Sequence, residues 1–316
     1  MNRLIESLRA AGDLLLPRAC LVCGQRLGLH ERHLCLSCAA DVPFTRDWIQ
    51  PHNPLADRFN AVLERHRGTE PMDYAYAVAL MYYKGPYRQI PKALKYHGDL
   101  SAGRFFGTLL GRRLSSVPHF ADVDLVIPVP LHWTRRRARG YNQAEVLARA
   151  IAQALNAART GLSGSSPAIP GSSAVIPGSS PVSPGVTPVI PGLTGNLPPV
   201  VCRTDLLVRA RRTRTQTRLT VDQKARNVAS AFRVPERKRW PIGVGHDGKG
   251  LARHSRLDRE SPATVLATAR HILLVDDTFT TGATLYACYA ALRPYTPARI
   301  SIATLAAVEG TPSSGP

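Results

Sequence analysis

The sequence predicts an α/β fold, a mostly parallel sheet with helices on both faces, preceded by a small N-terminal module built on cysteines. Three observations carry this reading. Short apolar runs of strand length alternate with stretches of helical period along residues 72–316. Four of the six cysteines fall within residues 20–38, as two Cys-x-x-Cys pairs. One apolar run ends in two adjacent aspartates followed by a turn of threonines and a glycine.

Residues 1–50 form the first unit. Residues 1–16 read as an amphipathic helix, because Arg3, Glu6, Arg9 and Asp13 interrupt the leucines, and not as a signal peptide. Cys20-Leu-Val-Cys23 and Cys35-Leu-Ser-Cys38 follow, with eleven residues between them. Each pair can offer two thiolates from a tight turn, and the two turns together supply the tetrahedron of a structural zinc ribbon. Cys23-Gly24 has the form of a zinc knuckle. Two disulfides or four free thiols are the alternative, disfavoured in a cytoplasmic chain without a secretion signal. His30 and His33 lie between the pairs, but four thiolates already fill a closed site. Cys202 and Cys288 stand alone and read as buried thiols.

After a loop rich in His, Asn and Pro, residues 74–83 read as a strand. Gly85-Pro86 opens a helix toward Tyr96, with Pro91 either in its first turn or cutting it short. Residues 102–114 make a second helix, 124–130 a buried strand, 142–158 a third helix and 201–208 a strand. Further strands are expected at 232–234, 271–275 and 299–305, with a helix over 281–292 between the last two. Such alternation closes on a parallel sheet covered on both faces.

Two segments, at about 160–200 and 236–262, break the pattern. The first has no charged residue and repeats an Ile-Pro-Gly unit; the second is rich in Gly, Arg and His. Neither has a period, so both are expected to be disordered insertions. The peptides at 190–196 and 255–261 can be encoded in two frames of one nearly palindromic DNA stretch, which points to a mobile repeat that entered twice at surface loops.

Composition narrows the partners. The chain has 316 residues, 44% of them hydrophobic, enough for one large domain and a small module. Lys and Arg outnumber Asp and Glu by 41 to 22, a net charge of +19, and cluster at 135–139 and 203–239. A polyanion is the expected partner, either a phosphorylated small molecule or nucleic acid. No run approaches the roughly 20 apolar residues needed to cross a bilayer. A cytoplasmic protein is expected, with recruitment to the inner face of the membrane left to a partner.

The most informative segment is Ile272-Leu-Leu-Val-Asp276-Asp277-Thr278-Phe-Thr280-Thr281-Gly282-Ala283-Thr284. A buried parallel strand places both carboxylates at its C-terminal end, where open α/β sheets bind ligands. Adjacent acids there require hydroxyl donors or a cation. The residues that follow present hydroxyls and backbone N–H groups at a helix N-terminus, which suits a phosphate. An acid pair beside a phosphate loop fits ribose phosphate.

This segment resembles the phosphoribosyl pyrophosphate motif of type I phosphoribosyltransferases. The resemblance implies that Asp276 and Asp277 contact the ribose hydroxyls, as the catalytic pair, and that Thr278, Thr280, Thr281, Gly282, Ala283 and Thr284 cradle the 5′-phosphate, with magnesium. Further pieces are similar to the competence protein F (ComF/GntX-like) family: the cysteine module, Tyr83-Lys-Gly-Pro with Leu94-Lys-Tyr-His-Gly98, Ile127-Pro-Val-Pro130, Arg139-Gly-Tyr-Asn-Gln143, and Thr215-Gln216 with Arg226-Asn227. The resemblance covers nearly the whole chain outside the two insertions. Residues 211–226 then correspond to the mobile hood over the active site, with Arg211, Arg214 and Arg226 facing pyrophosphate.

Arg135, Arg136, Arg137 and Arg139 follow the strand beside the acid pair and are also pyrophosphate candidates, since guanidinium pairs bidentately with phosphate oxygens. A solvated face is the alternative for that run, and the favoured reading for Lys84, Lys92 and Lys95. Two functions follow. One is transfer of ribose 5-phosphate to a nitrogen acceptor. The other is a role in DNA uptake during natural competence, with single-stranded DNA and an uptake helicase as partners.

Overall fold

The computed structural model describes residues 18–50, 52–66, 73–161, 197–210, 231–236 and 260–310. The amphipathic helix expected at 1–16 and most of both expected insertions lie outside them.

Five strands form one parallel sheet in the order β1 (Ala77–Tyr82), β7 (Arg299–Ala307), β6 (His271–Phe279), β2 (Leu125–Pro128), β3 (Val201–Cys202). The fold is α/β, as the alternation of patterns predicts. Side chains alternate across a strand, so β6 divides its apolar residues between two cores. Leu273 and Val275 join Phe106, Leu110, Leu147 and Ile151 on one face. Ile272 and Leu274 join Leu55, Phe59, Leu266, Leu285 and Leu292 on the other.

The first face carries α3 (Gln89–Tyr96), α4 (Leu100–Ser115) and α6 (Gln143–Arg159). Asp99 and Asn142 cap α4 and α6 by accepting from Ala102 N at 2.8 Å and Ala144 N at 3.2 Å. A Cβ placed on Gly107 would lie 2.8 Å from Ala150 Cβ, and one on Gly111 2.7 Å from Ala154 Cβ. The two helices therefore meet backbone to backbone. Pro91 takes the third position of α3, in its first turn, where a missing N–H costs nothing. The cysteine module packs on the same face: Cys20, Leu27, Leu34, Cys35 and Trp48 belong to one core with Leu80 and Phe106. Residues 43–45 run along the outer edge of β1, with Tyr82 N donating to Pro43 O and Thr45 N to Leu80 O.

The second face carries α2 (Pro54–Arg65), α7 (Pro262–Thr268) and α8 (Ala283–Leu292); α1 (Leu36–Ala40) lies in the cysteine module, and α5 (Trp133–Arg139) follows β2.

Several expectations need correction. The loop expected before β1 contains α2, capped by Asn53 Oδ1 on Ala56 N at 2.8 Å with Pro54 at its first position. The strand expected over 201–208 is two: β3 ends in the main sheet, and β4 (Val208–Arg209) pairs antiparallel with β5 (Phe232–Arg233). The break falls where Arg203, buried, turns onto Asp205 at 2.8 and 2.7 Å. The first expected insertion is anchored at its end, because Asn156 bonds both Val200 N at 2.7 Å and Val200 O at 2.9 Å. The second stops short of 262, since Ser261 caps α7 through Thr264 N at 3.2 Å.

Candidate functional site

Strands β2 and β6 are neighbours, but the chain leaves β2 toward β3 on one side and β6 toward β7 on the other. Their C-terminal ends therefore flank a topological switch point, where the connections part and leave a crevice. The acid pair stands at this end of β6.

The strand does not stop at the acids. It continues to Phe279, with Asp276 opposite Thr304 and Thr278 opposite Ala306. Pleating sends the two carboxylates to opposite faces, so they are not side by side as the sequence suggests. Asp277 is buried and faces α3, where Lys95 Nζ lies 2.8 Å from its Oδ1 and donates to Thr278 Oγ1 at 3.2 Å. Burial, the largest single influence, lowers the pKa of Lys95, but the charge and hydrogen bond of Asp277 together with the charge of Asp276 raise it on balance. The solvated-face expectation for Lys95 is thus replaced by a partly buried ion pair. Asp277 Oδ2 is buried without a hydrogen-bond partner among the described residues.

Asp276 accepts from Asp277 N at 2.8 Å. Burial, and then the Asp277 charge, push its carboxyl up to about 7, against the pull of Lys95 and Arg209. Arg209, on β4, lies close enough to sense both Asp276 and Arg135.

The turn that opens α8 is Thr280-Thr281-Gly282; Thr278, expected in it, belongs to the strand. Gly282 has φ +78°, and a Cβ there would sit 3.0 Å from the Phe279 ring. Glycine is required on both counts. The first turn of α8, with Ala283 and Thr284, has no side-chain cap from Gly282; Ala283 N makes a long 3.5 Å bond to Thr281 Oγ1, and an anion at this helix N-terminus would compete for it. Helix α2 braces this turn from outside. Arg58 donates to Thr280 O at 2.9 Å and to Val308 O at 2.6 Å, with its guanidinium 5.2 Å from the centre of the Phe279 ring. Sequence reading missed Arg58 because it missed α2; the signal was Asn53-Pro54 ahead of apolar residues at 55, 59, 62 and 63.

The arginine run lies on α5, just beyond β2. Arg135 and Arg137 are exposed. Arg139 donates to Gln143 Oε1 at 3.0 Å and stands 5.5 Å over the Tyr96 ring. Lys84 pairs with Glu309 at 2.8 Å on the surface. Arg211, Arg214 and Arg226 lie outside the described residues.

The four predicted thiols come together. The Sγ atoms of Cys20, Cys23, Cys35 and Cys38 all lie within 4.8 Å of one another, with Cys23 and Cys35 3.7 Å apart. Sulfurs about 2.3 Å from a tetrahedral ion stand roughly 3.8 Å apart, so the set fits zinc. Gly24, at φ +74°, donates its N–H to Cys20 O at 2.9 Å and closes the turn that brings Cys20 and Cys23 together. Burial opposes ionisation of Cys20, but the amides of Cys23, Cys35 and Val22 bring it down to about 7. His33 is not in the cluster: its Nδ1 lies 3.8 Å from Asp99 Oδ2 and its ring 5.2 Å from that of Phe105. Cys288 is fully buried, as expected; Cys202 is only half-buried, and burial pushes its thiol up to about 11.

Fold and site together define an α/β protein with a parallel five-stranded sheet and a four-cysteine cluster that could hold a metal such as zinc. No protein-family model matches the chain, and no curated protein matches it at a significant level. No helix among the described residues is long and apolar enough to cross a membrane.

Proposed function

We propose that the chain binds the ribose 5-phosphate group of phosphoribosyl pyrophosphate at the C-terminal ends of β2 and β6, as a ComF-like member of the type I phosphoribosyltransferases. The observation that carries this reading is Asp277 Oδ2, a buried carboxylate oxygen without a hydrogen-bond partner among the described residues, on the strand that leads into a helix N-terminus suited to phosphate. A ribose hydroxyl satisfies the first and the 5′-phosphate the second. Thr281 and the amides of Gly282, Ala283 and Thr284 hold the phosphate, and Arg135 and Arg137, exposed on α5 beyond the end of β2, are the candidates to meet pyrophosphate.

Magnesium takes oxygen ligands; Asp276 and Asp277, sent to opposite faces of the sheet, do not offer it one shared pair of carboxylates, and it would come with the oxygens of the pyrophosphate. When bound, it supplies charge neutralisation for the pyrophosphate. In a transfer reaction a nitrogen nucleophile bonds to C1 of the ribose as the C1–O bond breaks, and pyrophosphate leaves with the electron pair. The chain's part is to orient the sugar and stabilise the leaving group.

A second reading, an accessory role in DNA uptake, is favoured by a surface beside α5. Trp133 and Tyr96 are 65% and 71% exposed; Trp133 opens the helix that carries Arg135, Arg136, Arg137 and Arg139, and Arg139 stands over the Tyr96 ring. Aromatic faces between guanidinium groups suit stacked single-stranded bases. One assay separates the readings: consumption of phosphoribosyl pyrophosphate with magnesium and a panel of bases, set against retardation of single-stranded DNA. Pyrophosphate release supports the transferase. Retardation without release supports the accessory role, and neither result leaves the site without its proposed ligand.

A further inference from the structure

Lys95 and Asp277 come from different elements, α3 and β6, and meet where both side chains are largely removed from water, at 25% and 5% exposure. Two protons of the ammonium are committed to β6, one toward Asp277 Oδ1 at 2.8 Å and one to Thr278 Oγ1 at 3.2 Å. The helix that carries Lys95 is held near both ends: Tyr87 OH donates to Cys38 O at 3.0 Å just before it, and Tyr141 OH donates to Leu94 O near its end. The lysine is therefore delivered to the strand by a fixed element.

This has a chemical consequence for Asp277. A carboxylate free to rotate presents either oxygen. With Oδ1 taken by Lys95, rotation is arrested and Oδ2, buried without a donor among the described residues, is left to face a ligand. The ammonium also offsets the Asp277 charge, so this half of the site can accept an uncharged hydroxyl without a cation of its own.

We infer that Lys95 is a positioning residue for sugar recognition, fixing Asp277 so that Oδ2 accepts a ribose hydroxyl and the site distinguishes a sugar phosphate from bare phosphate. This rests on the ribose 5-phosphate reading above.

The test is a calorimetric titration of the full chain with ribose 5-phosphate and, separately, with inorganic phosphate. Both ligands reach the turn at Thr280-Thr281-Gly282, and only the sugar reaches Asp277. Lys95→Met is expected to weaken ribose 5-phosphate binding about tenfold or more and to leave phosphate binding at the wild-type level. Added to Asp277→Asn, Lys95→Met should cause no further loss, because both act through one carboxylate. Equal weakening of both ligands, or additive losses in the double variant, overturns the inference. Should Lys95→Met fail to fold, Lys95→Arg keeps the charge but moves its donors, and it too must lose sugar phosphate while keeping phosphate. A wild-type chain that binds ribose 5-phosphate no better than phosphate overturns the ribose reading itself, and the role of Lys95 with it.

Discussion

Lys95 Nζ stands 2.8 Å from Asp277 Oδ1, while the neighbouring Asp276 points to the other face of the sheet with its carboxyl pushed up to about 7. The two acids thus have opposite electrostatic situations. Asp277→Asn strands the Lys95 ammonium in a partly buried place and should cost about 1–3 kcal/mol. Asp276→Asn removes a carboxyl that burial already disfavours and should be neutral or stabilising. Urea unfolding of both variants at neutral pH checks this; equal effects would show that the pair does not divide in this way.

Gly107 is the contact point of α4 and α6. Alanine in a helix interior is normally up to ~1 kcal/mol more stable than glycine. Here its Cβ would lie 2.8 Å from Ala150 Cβ and 3.0 Å from Leu147 O, one of them backbone. Overpacking should win, so Gly107→Ala is expected to destabilise by about 1–3 kcal/mol. Thermal unfolding reads it, and a raised melting temperature would mean the helices can separate freely.

At the opposite end of the sheet, His271 bridges Asp122 and Ser301, each at 2.8 Å, and His119 packs beside them. Burial, then His271 and Arg299, lower His119 from 6.5 to about 4. A depressed histidine favours the folded state fully above 6.5 and loses that contribution as pH falls toward 4. The His271 hydrogen bond, first, lowers Asp122 from 3.8 to about 2, so its contribution is lost in turn between those values. Stability should therefore decline with acid from about 6.5 downward, and His119→Asn should flatten the upper part. An unchanged pH profile in that variant contradicts this account.

Purified protein should carry one zinc per chain, released by Cys35→Ser or by a strong chelator. Because Cys20 and Cys35 share a core with Leu80 and Phe106, metal loss should lower the melting temperature of the whole protein rather than unfold residues 20–38 alone. Elemental analysis with thermal unfolding decides it, and an unchanged melting temperature in metal-free protein would make the module independent.

The sequence disclosed those parts whose chemistry is local. Two Cys-x-x-Cys pairs specify their cluster by spacing, and the apolar run before Asp276-Asp277 specifies a buried strand of the parallel sheet. It hid what depends on tertiary contact. Lys95 looked like a surface lysine because its partner lies on β6, and α5 was masked by like charges that leave no apolar period. Helix α2 was legible through Asn53-Pro54 but was read as loop. Pleating sends the two acids to opposite faces, which the sequence alone does not show, although the Asp277 charge still acts on Asp276.

Ribose phosphate binding at the acid pair is decided by calorimetric titration of phosphoribosyl pyrophosphate with magnesium into wild type and into the Asp276→Asn, Asp277→Asn double variant. Magnesium-dependent binding is expected for wild type and none for the variant, with both chains folded. No binding to wild type, or equal binding to both, would contradict it.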